Sequence, residues 1–160
     1  MKTVLPILFL IAGCAGKPAP TGLQGIEILA AANANQNNAT ALDLVFVYDS
    51  STQGLLPKTG PEWFDKKAAL VAGLATGLDV VSLQVPPAST VNLPASPPFP
   101  ARYAKAISVY AYANYVAPAG QPIMNLTPYS AVTITLAPDS ITLAGTPPKG
   151  MLGKLLGAFK

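Results

Sequence analysis

The chain has 160 residues, of which 51% are hydrophobic and 11% charged, and its formal net charge is +3. That length supports one domain with a single core, and the apolar composition excludes a disordered chain. The basic residues are scattered, so the sequence does not predict nucleic-acid binding. Histidine is absent and cysteine occurs once, which leaves no intramolecular disulfide and no thiolate or imidazole set for a metal or a general base. The composition therefore favours a non-enzymatic protein without a metal or cofactor.

An apolar stretch close to the start of the chain ends at its single cysteine. Lys2 precedes a run of apolar residues from 4 to 12, which is too short to cross a bilayer but fits the hydrophobic region of a secretory signal. The sequence IAGC, residues 11–14, then places one branched apolar residue and two small residues before the cysteine. This order resembles the lipobox of bacterial lipoproteins. A buried structural cysteine on an N-terminal strand or helix is the alternative interpretation.

The resemblance to a lipobox implies that residues 1–13 are a signal peptide and that Cys14 becomes the first residue of the mature chain. In such proteins the thiol receives diacylglycerol and the new amino terminus usually receives a fatty acid such as palmitate. Two or three acyl chains hold a protein stably at a membrane. Ala15, rather than aspartate, implies by the same resemblance the outer membrane, with the domain in the periplasm. Residues 14–22, with two prolines, are predicted to form an extended tether.

Residues 23–147 are predicted to form a β-sandwich. Ile26, Ile28 and Ala30 share one face of a strand, and the segment LDLVFVYD, 42–49, is apolar on both faces, which is typical of a central strand. Further strands are predicted at 78–85, 89–93, 105–116, 130–136 and 140–143. The pattern indicates a mainly β fold of about seven strands in two packed sheets.

One inserted α-helix is predicted between the second and third strands. Thr59 and Glu62 stand three residues apart, as in a capping box, and apolar residues then recur at helical spacing from Trp63 onward. Trp63 has two interpretations, packing of the helix on a sheet or a binding surface. Tyr110 and Tyr112 share one face of the strand at 105–116 and have the same two interpretations.

The chain ends with PKGMLGKLLGAFK, residues 148–160, in which apolar residues recur at helical spacing with lysines between them. The pattern is typical of a short amphipathic segment that lies on a membrane or a partner. Three glycines weaken such a helix by about 1 kcal/mol each, so a docked or frayed terminus is the alternative.

The order of these parts resembles the TssJ family, the lipoproteins of bacterial type VI secretion machines, and the chain is similar to a divergent member. A lipobox and tether precede the first strand, 23–32, and an Asn-rich loop. The segment VFVY, 45–48, and the helix follow, and then the strand ISVYAYANY, 107–115, and the last hairpin VTITLAPDSITL, 132–143.

The resemblance implies a transthyretin-like sandwich that acts as a structural adaptor and binds the periplasmic domain of the IcmF-like inner-membrane protein TssM. The family's contact loop joins the first two strands. Its expected contact residues in this chain are Asn33, Asn35, Gln36, Asn37, Asn38 and Thr40. Amide side chains suit the rim of an interface because they donate and accept hydrogen bonds without burying charge. From the residues alone, a solvated turn is the simpler interpretation.

Two other functions are compatible with the sequence. A periplasmic lipoprotein module for a glycan or small ligand would use Trp63, Tyr110 and Tyr112 as stacking surfaces. A hydrolase would need two or more of the seven acidic residues to converge in a cleft.

Overall fold

The computed structural model describes residues 18–148, so Cys14 and the segment 149–160 lie outside the described part of the chain. The described residues form eight strands. These are β1 (Gly25–Ala30), β2 (Thr40–Val47), β3 (Leu78–Val85), β4 (Thr90–Pro94), β5 (Ser108–Ala113), β6 (Met124–Asn125), β7 (Ala131–Leu136) and β8 (Ile141–Thr146). Sheet 1 has the order β4-β1-β7-β8 and sheet 2 the order β3-β2-β5-β6. The predicted mainly β fold with two packed sheets is confirmed.

Besides two 3-10 turns, Tyr103–Lys105 and Pro118–Gly120, three helical segments lie between the strands. The segment α1 (Ala34–Asn37) is one left-handed turn, and the others are α2 (Ser50–Leu55) and α3 (Gly60–Gly73). The predicted cap of α3 is confirmed, because the Thr59 side chain accepts a hydrogen bond from the Glu62 amide at 3.4 Å. The expectation of a single inserted helix is wrong. The helix α2 was not predicted, although Asp49 is a typical N-cap residue: its side chain accepts from the Thr52 amide at 2.8 Å.

The main core lies between the two sheets. Ile26, Ile28 and Ala30 of β1 point into it, as predicted, and β7 runs parallel to β1 with Val132 and Ile134 in register. The central strand β2 is buried on both faces, as predicted. Burial of such apolar side chains contributes about 1.5–3 kcal/mol each.

A second, smaller core lies between sheet 2 and helix α3. Val45 and Val47 of β2 contribute to this core from sheet 2, and Trp63 contributes to it from α3. The helix therefore adds a third layer to the sandwich.

Several predicted strand boundaries are wrong: β1 is shorter than 23–32, β2 ends at Val47 rather than at residue 49, and β8 extends to Thr146. The strand predicted at 105–116 is shorter, because a 3-10 turn at Tyr103–Lys105 precedes it and the chain leaves sheet 2 after Ala113. Thr40 belongs to β2 rather than to the preceding loop, since it pairs with Val85 and is fully buried. The two-residue strand β6 was not predicted, because so short a segment carries no periodicity.

Candidate functional site

Four connections meet at one end of the sandwich, which we call the loop end. They are residues 31–39, 86–89, 114–117 and 137–140. Backbone hydrogen bonds tie them together: the Ala88 amide donates to the Ala31 carbonyl at 3.0 Å and the Asn35 amide to the Ala137 carbonyl at 3.1 Å. The loop end is therefore one continuous surface drawn from four separate parts of the chain.

The described ends of the chain meet at the opposite end, which we call the termini end. The Thr21 amide donates to the Ala106 carbonyl at 2.7 Å, and a Cβ added to Gly22 would lie 3.1 Å from the Pro148 ring. β1 leads from this end to the loop end over six residues, which at about 3.3 Å per residue separates the two surfaces by about 20 Å.

Asn35 is the centre of the loop end. Its side chain oxygen accepts from the Val116 amide at 2.8 Å, and its side chain nitrogen donates to the Asn114 carbonyl at 3.3 Å. Its backbone amide also donates to the Tyr115 hydroxyl at 3.2 Å. Asn35 has a left-handed backbone, with φ 48°, which asparagine tolerates better than most residues. These bonds join α1 to the residues that follow β5.

Tyr115 extends the same network across the core. Its hydroxyl donates to the Ala137 carbonyl, so one ring connects three loops of this end. Burial raises the pKa of the Tyr115 hydroxyl, which keeps its proton on the oxygen. Gly120 lies against the ring so closely that a Cβ there would come within 2.1 Å of it.

The predicted contact residues divide into two groups. Asn33, Gln36, Asn37 and Asn38 are exposed, whereas Asn35 and Thr40 are buried and are not available to a partner. The expectation is wrong for those two because Asn35 completes backbone hydrogen bonds and Thr40 belongs to a central strand.

Gln36 and Asn38 hold the shape of the exposed part of the loop. The Gln36 side chain donates to Asp139 at 2.9 Å, and the Asn38 side chain donates to the Asn35 carbonyl at 3.1 Å. Gln36 and Asn37 share the left-handed backbone, with φ 54° and 65°. Hydrogen bonds therefore hold the shape of the turn that carries these exposed amides.

Val116 is joined to this turn by the bond from its amide to the Asn35 side chain, and it is 54% exposed. It was not among the contact residues predicted from the sequence. Its only signal was an apolar residue directly after the tyrosine-rich strand, and the bond from its amide to Asn35 fixes the backbone there. The loop end thus offers an exposed apolar side chain together with exposed polar side chains, a composition suited to a protein interface.

Trp63 and Tyr112 do not form a binding surface. Both are fully buried, with their rings stacked at 4.8 Å and 8°. The Trp63 indole donates to Asp43 at 2.8 Å and the Tyr112 hydroxyl to the Pro57 carbonyl at 2.8 Å. The interpretation of these rings as packing is the one that the structure supports. Tyr110 is half-buried, and its hydroxyl accepts from Gln53 at 2.7 Å.

Several acidic side chains have structural partners. Asp43 is buried and also pairs with Lys67 at 2.7 Å, which holds α3 on sheet 2. Asp79 pairs with Arg102 at the termini end at 2.8 Å. Among residues 18–148, no group of three acidic or cysteine side chains is placed to hold a metal ion. Within the same residues, no helix has the length and apolar character needed to cross a membrane.

Two solved structures resemble the chain over most of its length. The T6SS lipoprotein TssJ1 from Pseudomonas aeruginosa has a TM-score of 0.53 at 16% identity, with 78% of this chain and 95% of that chain covered. Serratia marcescens Lip, a membrane-bound component of the type VI secretion system, has a TM-score of 0.53 at 9% identity, with 81% and 100% covered. No protein-family model and no curated protein sequence matches the chain. The fold is therefore a β-sandwich like that of the TssJ lipoproteins.

Proposed function

We propose that the chain is a divergent TssJ-type lipoprotein of a type VI secretion membrane complex. The observation that carries this proposal is the placement of the two candidate contacts on a TssJ-like fold: the chain enters at the termini end, and the amide loop stands at the opposite end. A lipid on Cys14 would hold the termini end near the outer membrane. The loop end would then point away from that membrane into the periplasm.

In this proposal the domain is a structural adaptor without catalytic turnover, and its partner is the periplasmic domain of an IcmF-like TssM protein. The exposed amides of Asn33, Gln36 and Asn37 form the polar rim of the interface. Val116 supplies apolar area inside that rim. Interfaces commonly combine an apolar centre with a polar rim, and a few central residues contribute most of the affinity.

Substitution of the exposed apolar residue tests the partner site. Val116→Arg adds charge and bulk at the loop end, and we expect it to weaken binding by about 2 kcal/mol, a roughly 30-fold higher Kd. The measurement is calorimetric titration of the periplasmic domain of TssM from the same secretion system. Leu55→Arg on α2 is the matched control, because Leu55 is 60% exposed and lies outside the loop end. Equal affinities for the two variants would exclude the loop end as the interface.

A cysteine substitution tests the lipid anchor. We expect Cys14→Ala to leave the outer-membrane fraction, because the chain would lack the acyl chains that hold it there. Density-gradient fractionation of the cell envelope measures this. A Cys14→Ala protein that still sediments with the outer membrane would contradict the anchor without bearing on the partner site.

A further inference from the structure

The chain leaves the domain at nearly the same point at which it enters. A Cβ on Gly22 would lie 3.1 Å from Pro148, so the tether and the C-terminal exit run side by side. The exit is fixed, because the Ser130 hydroxyl donates to the Thr146 carbonyl at 3.0 Å and lies 3.3 Å from that of Pro147. Any segment that follows Pro148 therefore starts next to the N-terminal tether.

The twelve residues that follow, 149–160, carry three lysines and no acidic residue. Their large apolar residues recur at helical spacing, with lysines, glycines and Ala158 on the remaining positions. These apolar residues are Met151, Leu152, Leu155, Leu156 and Phe159. An apolar stripe beside a basic face is the composition of segments that lie in the interface of a bilayer. The described part of the chain adds one more cation here: Lys105 is exposed and adjoins Ala106, which binds the tether.

We propose that residues 149–160 bind the surface of the phospholipid bilayer in which the Cys14 lipid is inserted, as a second contact between the domain and that membrane. This inference rests on the lipid anchor of the proposed function. Eight residues separate Cys14 from Leu23 and span at most about 28 Å when extended. The acyl chains thus keep the tail within reach of lipid, and the high effective concentration favours a contact that would be weak for a free peptide.

The second contact has a consequence for orientation. A single attachment through the tether leaves the direction of the domain relative to the membrane unfixed. With the tail on the same bilayer, two attachments at the termini end hold that end against the membrane, where Lys105 can meet anionic headgroups. The loop end is then directed toward the periplasm and away from lipid.

A fluorescent label on the tail tests the proposal in the full acylated protein. Cys14 is the sole cysteine, and its thiol is blocked by the lipid, so Ala158→Cys provides one reactive thiol for an environment-sensitive fluorophore. The labelled protein is reconstituted into vesicles of phosphatidylethanolamine and phosphatidylglycerol. We expect a blue-shifted emission that is quenched by brominated acyl chains. The control Ala39→Cys lies exposed at the loop end and should give an aqueous, unquenched emission.

A charge-matched pair of double variants identifies the apolar stripe as the cause. Leu155→Asp with Phe159→Asp places two acids on the stripe, and Gly153→Asp with Gly157→Asp places two on the opposite face. We expect the first pair to lose the blue shift and quenching and the second to retain them. Loss of both signals in both pairs would show that charge alone governs the signal and would overturn the role of the stripe.

Failure of the tail and failure of the anchor give different results. Flotation with the vesicles but an aqueous label at position 158 overturns the tail contact and leaves the anchor intact. A blue shift without vesicles means that the tail packs on the domain, for example on the open outer face of sheet 1 around Gly25 and Ala144, and also overturns the proposal. Labelling of two thiols per chain shows that Cys14 is not acylated, which contradicts the anchor. In that case, Cys14→Ala is added so that position 158 carries the sole label, and a blue shift on adding vesicles would still support the tail contact.

Discussion

At the loop end the chain is held by buried neutral groups, whereas at the termini end it is held by half-exposed charged groups. Asn35 is 2% exposed and satisfies backbone groups of the segment after β5. Arg102 and Asp79 have side chains that are 38% and 32% exposed, and they pair at 2.8 Å. Arg102 also lies over the ring of Tyr48 at 4.0 Å.

The difference indicates which end is preorganised. A buried amide that loses its hydrogen-bond partners is destabilised by the full cost of desolvation. The α1 turn therefore has one strongly favoured position. An exposed ion pair contributes about 0–1 kcal/mol and tolerates water and salt around it. A surface that is already ordered loses less entropy when it binds, which fits a partner site at the loop end. The termini end, by contrast, is where the described chain enters and leaves the domain.

The largest expected effect comes from removing the two hydrogen bonds of the Asn35 side chain. Asn35→Ala removes a buried acceptor from the Val116 amide and leaves alanine in a left-handed backbone. We expect the free energy of unfolding to fall by about 3 kcal/mol, from the unpaired backbone groups and the left-handed conformation together. Urea denaturation followed by circular dichroism measures the loss.

A neighbouring asparagine separates the two contributions. Asn37 has φ 65° and is exposed, so Asn37→Ala carries the cost of the left-handed backbone, about 1 kcal/mol, without a buried amide. If Asn35→Ala destabilised the protein no more than Asn37→Ala, the hydrogen bonds of Asn35 would not be what holds the loop end together.

The sequence predicted the sheets better than the loop end because apolar alternation reports burial directly. β3 has the predicted limits, Leu78–Val85, and the inward face of β1 is the predicted one. The Asn-rich loop has no such signal. Which of its amides is buried depends on Tyr115 and Val116, about 80 residues further along the chain.

Partners distant in sequence also explain why the sequence left two interpretations open for the aromatic residues. Spacing placed Trp63 on a helix and Tyr112 on a strand, but it did not show that their rings stack on each other. Asp43, on the central strand, then satisfies the indole nitrogen and fixes the choice between packing and binding. The local spacing of residues predicts whether a segment is a helix or a strand. The role of a side chain depends on its contacts with residues distant in sequence.

A smaller effect is expected from the ion pair of the termini end. Arg102 donates two hydrogen bonds to Asp79, at 2.8 and 3.0 Å, and another to the Thr76 carbonyl at 2.9 Å. Arg102→Met keeps much of the apolar stem and removes these donors. Because the pair is partly exposed, we expect a loss of about 1 kcal/mol at neutral pH, well below that for Asn35→Ala. Thermal unfolding of both variants in one buffer compares them.

The pH dependence sharpens this last prediction. The Arg102 hydrogen bonds hold the pKa of the Asp79 carboxyl below its usual range, with help from the Tyr48 hydroxyl. A folded-state pKa that is depressed contributes stability above the unfolded pKa of about 3.9, and that stability is lost as the pH falls through the folded pKa. The difference in unfolding free energy between the native chain and Arg102→Met should therefore be largest at neutral pH and shrink in acid. The loss for Asn35→Ala should stay nearly constant over the same range, since an amide does not titrate. If the loss of unfolding free energy caused by Arg102→Met did not change with pH, the charge of Arg102 would not be what stabilises the termini end. The bond of Arg102 to the Thr76 carbonyl and its contact with Tyr48 would then be responsible.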